Sequence, residues 1–249
     1  MQRFFLKLGY NGSKYHGWQK QENAISVQQL IEEKLELLFG VKTDLVGCGR
    51  TDTGVHASFY IAHFDANNRY SLTEMVHKLN AMLPKQIVVY EALPVRKNVH
   101  ARFDAISRSY QYFITRIKDP FNVDLSYVYN RNLDIDLMNI CSSRLLEFND
   151  FKSFCKVGSD NKTTLCDVKI AFWEKTKNGL VYNITADRFL RNMVRAIVGT
   201  LLQVGEGKLT EADFIDIING KDRSLAGTSA PASGLFLSNV EYPEEIWQV

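Results

Sequence analysis

An arginine, an acid and a histidine fall within one short stretch, Gly47-Cys48-Gly49-Arg50-Thr51-Asp52-Thr53-Gly54-Val55-His56-Ala57. Glycines interleave them, and glycine both adopts backbone angles that other residues avoid and admits close neighbours. Arg50 and Asp52 stand two residues apart, so in an extended segment both project to one side. A carboxylate beside an arginine stays ionised, because the positive charge favours the charged form. An ionised, positioned aspartate can serve as nucleophile or general base. The same residues would also make a tight turn closed by an Arg50–Asp52 ion pair, and the stretch alone fits both readings. His56 could contact a substrate, although a ring nitrogen bonded to backbone is the plainer role. Cys48 has no visible base beside it and reads as a small buried residue. No second carboxylate lies close to Asp52, which argues against a glycoside hydrolase.

Two further groups carry charge in a pattern. Arg188, Arg191 and Arg195 lie at i, i+3 and i+7 of an apolar stretch, which on a helix places them on one face with no acid between. Such a stripe is either a solvated face or a phosphate contact. His100-Ala101-Arg102-Phe103 and Arg108-Ser109-Tyr110-Gln111-Tyr112-Phe113 interleave basic and aromatic side chains. In a strand Arg108, Tyr110 and Tyr112 share a face. Guanidinium beside stacking rings is the chemistry that RNA requires, and a core strand with a buried aromatic face is the alternative.

Several other functions are excluded by pattern. The glycine stretch does not read Gly-x-Gly-x-x-Gly, so the dinucleotide fingerprint fails. Gly205-Glu206-Gly207-Lys208 has Leu202 and Leu209 where a phosphate loop needs Gly and Ser or Thr. The four cysteines, Cys48, Cys141, Cys155 and Cys166, form no Cys-x-x-Cys pair, and no His-Glu-x-x-His occurs, so no metal site is signalled. The N-terminal Phe4-Phe5-Leu6 is broken at once by Lys7, which is not a secretion signal. Reduced thiols in a cytoplasmic protein are the expectation. Among 249 residues, 45% are hydrophobic and 23% charged, an ordinary globular balance with a core of useful size. The net charge of +2 does not announce a nucleic-acid partner, so any basic surface must come from clustering.

The elements that must position these residues follow from periodicity. Phe4, Leu6, Leu8 and Tyr10 alternate as a strand. Ser26-Val27-Gln28-Gln29 reads as a capping box opening a helix that ends at Gly40. Strands are expected around Phe59–Phe64 and Ile87–Tyr90, with a helix between them from Ser71 that stops before Pro84. The order gives a split βαβ arrangement. The second half repeats it loosely: a strand over Arg108–Ile114, a helix from Asp134, strands near Val168–Trp173 and Leu180–Ala186, a helix over Phe189–Val204, a short helix from Thr210 and a last strand over Gly234–Val240. The expected boundary gives residues 1–104 to an N-terminal α+β domain carrying the Asp52 loop. Residues 105–249 then form a C-terminal α+β domain carrying the Tyr110 strand and the arginine helix.

Gly49-Arg50-Thr51-Asp52-Thr53-Gly54-Val55-His56-Ala57 is similar to the signature of the TruA family of tRNA pseudouridine synthases. The resemblance runs nearly end to end. Tyr10-Asn11-Gly12-Ser13, Tyr15, Gly17-Trp18-Gln19 and Val27-Gln28 resemble the family's opening. His100–Phe103 with Arg108 and Tyr110 resemble its second block, Arg188–Arg195 with Val198-Gly199 its third, and Ala230-Pro231-Ala232-Ser233-Gly234-Leu235 its last. The resemblance implies two split-βαβ (RRM-like or ferredoxin-like) domains in an α+β fold, forming a mixed, largely antiparallel central sheet with helices on one side and a basic active-site cleft between them. It implies isomerisation of uridine to pseudouridine at tRNA positions 38, 39 and 40 in the anticodon stem-loop, without cofactor or metal, by a homodimer.

By the same resemblance Asp52 is the nucleophile, or the base that begins an elimination at the sugar. Arg195 pairs with Asp52, and Tyr110 stacks on the base and takes the C5 proton. Arg50 displaces the base or holds its phosphate, and Leu235 forms apolar wall. Arg102, Arg108, Arg188, Arg191 and His56 complete the expected substrate contacts. The target base must leave its stack, which basic and stacking side chains can support. The competing reading is a non-catalytic RNA-binding protein with tandem RRM-like sheets. It gives no reason for an acid in a glycine-rich loop near RNA phosphate.

Overall fold

The computed structural model describes residues 1–67, 69–159 and 162–247. The fold is mixed α+β, with sheet at its centre and helices flanking it. The chain divides into two compact units, one of Met1–Ile106 with the segment from Leu237 onward, the other of Ser107–Phe236.

In the first unit β1 (Gln2–Tyr10) runs between β3 (His56–Ala66) and β4 (Ile87–Val95), antiparallel to both, and β2 (Val46–Gly47) adds to β3. Phe4, Leu6, Leu8 and Tyr10 are buried as their alternation requires. Phe5, on the other face, is buried too, because Tyr242 and Trp247 meet its ring at 5.4 and 5.8 Å. Helix α1 (Val27–Phe39) buries Val27, Ile31, Leu35 and Leu38. Ser26 caps it by accepting from the Gln29 amide, but the Gln29 side chain donates to Glu33, so the expected capping box makes only one of its two bonds. Gly40 ends the helix at φ 73°, where a side chain would be strained. Helix α2 (Leu72–Met82) starts at its Ser71 cap and stops before Pro84.

In the second unit β8 (Gly179–Ala186) lies between β5 (Ser107–Thr115) and β7 (Val168–Thr176), antiparallel to both, and β6 (Tyr127–Val128) pairs parallel to β5. Helices α3 (Ile135–Arg144), α4 (Met193–Gly205) and α5 (Glu211–Gly220) pack with them. Strand β9 (Leu235–Glu241) begins in this unit and ends in the first. Each unit closes an edge strand in the same way. Asn80 of α2 bonds both backbone groups of Val89 in β4, at 2.8 Å each, and Asn139 of α3 does the same to Trp173 in β7, at 2.7 and 3.1 Å. An amide side chain thus occupies backbone that would otherwise template another strand.

One expectation is overturned. The apolar helix begins at Met193, not Phe189, so Arg188 and Arg191 precede it and only Arg195 stands on it. The arginine stripe on one helical face therefore does not form. The cause is tertiary. Asn192 sits at φ 67°, a left-handed conformation that cannot continue a helix. The Arg191 carbonyl is taken by the Lys156 amide, and the Asp187 side chain ties down the Arg188 and Asp167 amides.

A buried histidine makes the first unit sensitive to acid. His63 Nδ1 accepts the Ala101 N–H at 3.1 Å, a bond that only the neutral ring makes. Burial, with help from the Arg3 and His100 charges and against Asp65 and Asp104, lowers its pKa from 6.5 to about 4. The unfolded chain takes up this proton below pH 6.5 and the folded chain only near 4, so the stability is complete above 6.5 and is lost as pH falls. We expect a loss of about 2–3 kcal/mol across that window, measured by urea unfolding at pH 7 and pH 4.5. His63→Asn keeps an acceptor that does not titrate and should flatten the slope; an unchanged slope would contradict the assignment.

Candidate active site

The Gly47–Ala57 stretch leaves β2, turns, and enters β3. Three aromatic side chains from β1, β3 and the segment before α1 hold it. Trp18 stacks on Tyr60 with centroids 4.0 Å apart at 26°, and Tyr10 closes on both at 6.1 and 5.6 Å. All three are buried. The Tyr60 hydroxyl donates to the Gly49 carbonyl at 2.5 Å, and the Tyr10 hydroxyl shares a hydrogen bond with Thr51 Oγ1 at 2.9 Å. The Trp18 amide donates to the Thr51 carbonyl. Beyond Asp52 the chain turns through Gly54 at φ 79°, closed by the Val55 amide on the Asp52 carbonyl. His56 is fully buried, and its Nδ1 accepts the Gly12 N–H at 3.0 Å, the backbone role.

The glycines divide into those the geometry needs and one it does not. A Cβ on Gly47 would stand 2.1 Å from the Tyr60 hydroxyl and 2.5 Å from Trp18 Nε1. Gly17, at φ 84°, lies against the Thr51 carbonyl, where a Cβ would come to 2.3 Å. Gly49 has open space and no such demand. On this clamped loop Arg50 is exposed and Asp52 half-buried, and no ion pair joins them among the described residues. The simple Arg50–Asp52 turn is therefore not what the loop forms.

Arg102 lies in a separate turn after β4. His100 Nδ1 accepts the Arg102 and Phe103 amides at 3.1 and 3.3 Å, and Asp104 accepts the His100 amide at 2.7 Å. The turn presents Arg102 and Phe103 to solvent, with the guanidinium 5.6 Å from the ring.

In the second unit Tyr112 and Tyr110 differ in role. Tyr112 is fully buried, donates to the Pro231 carbonyl at 2.8 Å, and its burial pushes the phenol far above its ordinary range. Tyr110 is half-buried, with the Phe189 ring edge-on at 5.1 Å. Arg108 donates to the Asp187 carbonyl at 2.8 Å, so the segment after β8 is fastened over the start of β5. Arg195, in the first turn of α4, donates from Nε to the Ala230 carbonyl at 2.7 Å, and its own carbonyl accepts the Ala230 amide. That close approach exists because Gly199 has no side chain: a Cβ there would meet the Thr228 carbonyl at 1.8 Å. Ser229 is held by Asn192 and Arg223, and Gly227 by Thr200. The loop so fixed leads to buried Leu235. Arg188 is half-buried and Arg191 exposed.

The Gly47–Ala57 stretch stands out by residue type, whereas the Tyr10–Trp18–Tyr60 clamp and the Phe189 contact with Tyr110 do not. The sequence trace of the clamp is Gly47, which makes room for Tyr60 and Trp18, and Gly17, which makes room for the Thr51 carbonyl.

In the first unit an aspartate sits on a loop held by a buried aromatic platform; in the second a half-buried tyrosine lies on β5 and an arginine is fixed in the first turn of α4. A family model described as tRNA pseudouridine synthase matches residues 9–104 and 148–243. The chain is 50% identical to tRNA pseudouridine synthase A of Parabacteroides distasonis, with 100% of this chain and 99% of that one covered. It is 47% identical to the protein of that name from Bacteroides fragilis, over 100% and 99%. Against the one from a Thermoanaerobacter species it is 37% identical, over 97% and 100%. The chain belongs to the tRNA pseudouridine synthase family.

Gly47→Ala tests the platform. Overpacking of this kind costs about 1–3 kcal/mol. We expect a lowered melting temperature and loss of activity, because Tyr60 and Trp18 must move and the loop moves with them. Unchanged melting temperature and rate would contradict the clamp.

Proposed function

We propose that this chain converts uridine to pseudouridine at positions 38, 39 and 40 of the tRNA anticodon stem-loop, with Asp52 as the group that attacks the sugar. The observation that carries the reading is the loop itself: a half-buried carboxylate held by both flanks on a buried aromatic platform, in a chain of this family. An Asp52 carboxylate oxygen bonds to C1′ as the C1′–N1 bond breaks, the base turns, and C5 bonds to C1′ as the Asp52–C1′ bond breaks. The C5 proton leaves and N1 takes one up, so the isomerisation balances without oxidant or water.

The target base leaves its stack to reach these groups, and an exposed Arg50 beside Asp52 suits the phosphate or the vacated stack. Tyr110, backed edge-on by Phe189, offers a ring to the base and a hydroxyl for the C5 proton. Arg195, its guanidinium plane fixed through Nε, supplies the cation that pairs with Asp52. Leu235 gives apolar wall. Arg102, Arg108, Arg188 and Arg191 hold phosphates, and buried His56 serves the substrate through the loop it pins. The same reading assigns residues 1–104 and 105–249 to two split-βαβ domains, and has the protein work as a cytoplasmic homodimer without cofactor or metal. The family resemblance supports these points.

Transcripts of one tRNA, each with uridine at only one of positions 38, 39 and 40, test it. We expect pseudouridine in each after digestion and nucleoside analysis, and none at these positions when all three are cytidine. Free uracil would replace isomerisation with hydrolysis. Tight binding without product would replace the enzyme with an RNA-binding module.

A further inference from the structure

We infer that the hydroxyls of Tyr10 and Tyr60 are positioning groups for the Asp52 carboxylate, acting through the two loop groups that precede it. The inference rests on reading Asp52 as the group that opens the reaction. Three facts carry it. Both rings are buried and packed on Trp18, so phenylalanine would fill the same space. Both hydroxyls are directed to one loop: Tyr60 bonds the Gly49 carbonyl and Tyr10 the Thr51 hydroxyl, three residues and one residue before Asp52. Gly47 vacates the space through which the Tyr60 hydroxyl reaches the loop.

The origin of the two tyrosines matters as much as their bonds. They stand on neighbouring strands, with Tyr60 of β3 opposite Leu8 of β1 and Tyr10 of β1 opposite Ala57 of β3. A sheet moves less than a loop, so hydroxyls carried by strands transfer the rigidity of the sheet to a segment with no secondary structure of its own. A reacting group must be held within about 0.5 Å of its productive place. A shift of about 1 Å can cost about 100-fold in rate. The far flank of Asp52 is held differently, by the Gly54 amide on the Tyr15 carbonyl and by His56 on Gly12. Removing a tyrosine hydroxyl therefore loosens the near flank alone, where the Trp18 amide still holds the Thr51 carbonyl, and leaves the loop in place.

The test is a single-turnover rate with saturating enzyme over tRNA, measured beside tRNA affinity and melting temperature. We expect Tyr10→Phe, Tyr60→Phe and Thr51→Val each to slow turnover about 10- to 100-fold with Kd changed by less than about threefold. Thr51→Ser keeps the hydroxyl and should restore the wild-type rate. Tyr10→Phe combined with Thr51→Val should be no slower than the slower single variant, because the two hydroxyls act through each other. A merely structural role would lower the melting temperature and leave the rate of the bound complex at the wild-type value; that result overturns the proposal, as do losses that multiply in the double variant. Asp52→Asn is run alongside. If it turns over normally, the reading of Asp52 falls. If it is inactive while all the hydroxyl variants keep the wild-type rate, only the positioning proposal falls.

Discussion

The stack of Trp18 on Tyr60, closed by Tyr10, is the contact on which the shape of the Gly47–Ala57 loop depends. Aromatic pairs of this kind contribute about 0.5–1.5 kcal/mol beyond the area they bury. Their larger effect here is geometric. The rings fill the space under a loop that has almost no backbone ladder of its own, and their hydroxyls satisfy that loop's carbonyl and threonine. Buried hydroxyls without partners would be costly, so the arrangement is stable only when the loop sits where the hydroxyls point. Gly12, Gly17 and Gly47 follow from this. Each stands where the loop or the stack comes too close for a Cβ.

The second unit solves a similar problem with backbone rather than rings. Arg195 lies on a helix that is apolar on nearly every side, and the segment from Gly227 to Pro231 is drawn against that helix at Gly199. Reciprocal bonds between Arg195 and Ala230 fix the arginine, and the Tyr112 hydroxyl holds Pro231 from below. Tyr110, two residues earlier on the same strand face, is left half-buried, with Phe189 limiting its motion. Two tyrosines on one strand face thus differ in setting, Tyr112 fully buried under Pro231 and Tyr110 half-buried against Phe189.

Much of this was legible in the chain because it is local. Ser26, Ser71, Asp134 and Thr210 each cap the helix that follows, and the alternation of Phe4, Leu6, Leu8 and Tyr10 marks β1. The Gly47–Ala57 stretch could be picked out by residue type. What escaped is set by contacts distant in sequence. The start of α4 is set where Asn192 takes a left-handed backbone, its side-chain amide donating to Ser229 Oγ and the preceding Arg191 carbonyl accepting from the Lys156 amide, contacts that periodicity cannot register. Strand β4 runs on through Pro94 because proline needs only give up an amide bond, which the edge of a sheet tolerates. The aromatic clamp joins Tyr10, Trp18 and Tyr60 from three separate elements, so no window of sequence contains it.

The central claim is that Asp52, held on this platform, performs chemistry on a uridine rather than merely lying near RNA. Tritium release from tRNA labelled at uridine C5, measured for the wild-type chain and for Asp52→Asn with RNA affinity followed in parallel, tests it most directly. The account predicts release by the first, none by the second, and similar affinity for both. Equal release from the two proteins, or none from a wild type that still binds tRNA, would contradict it.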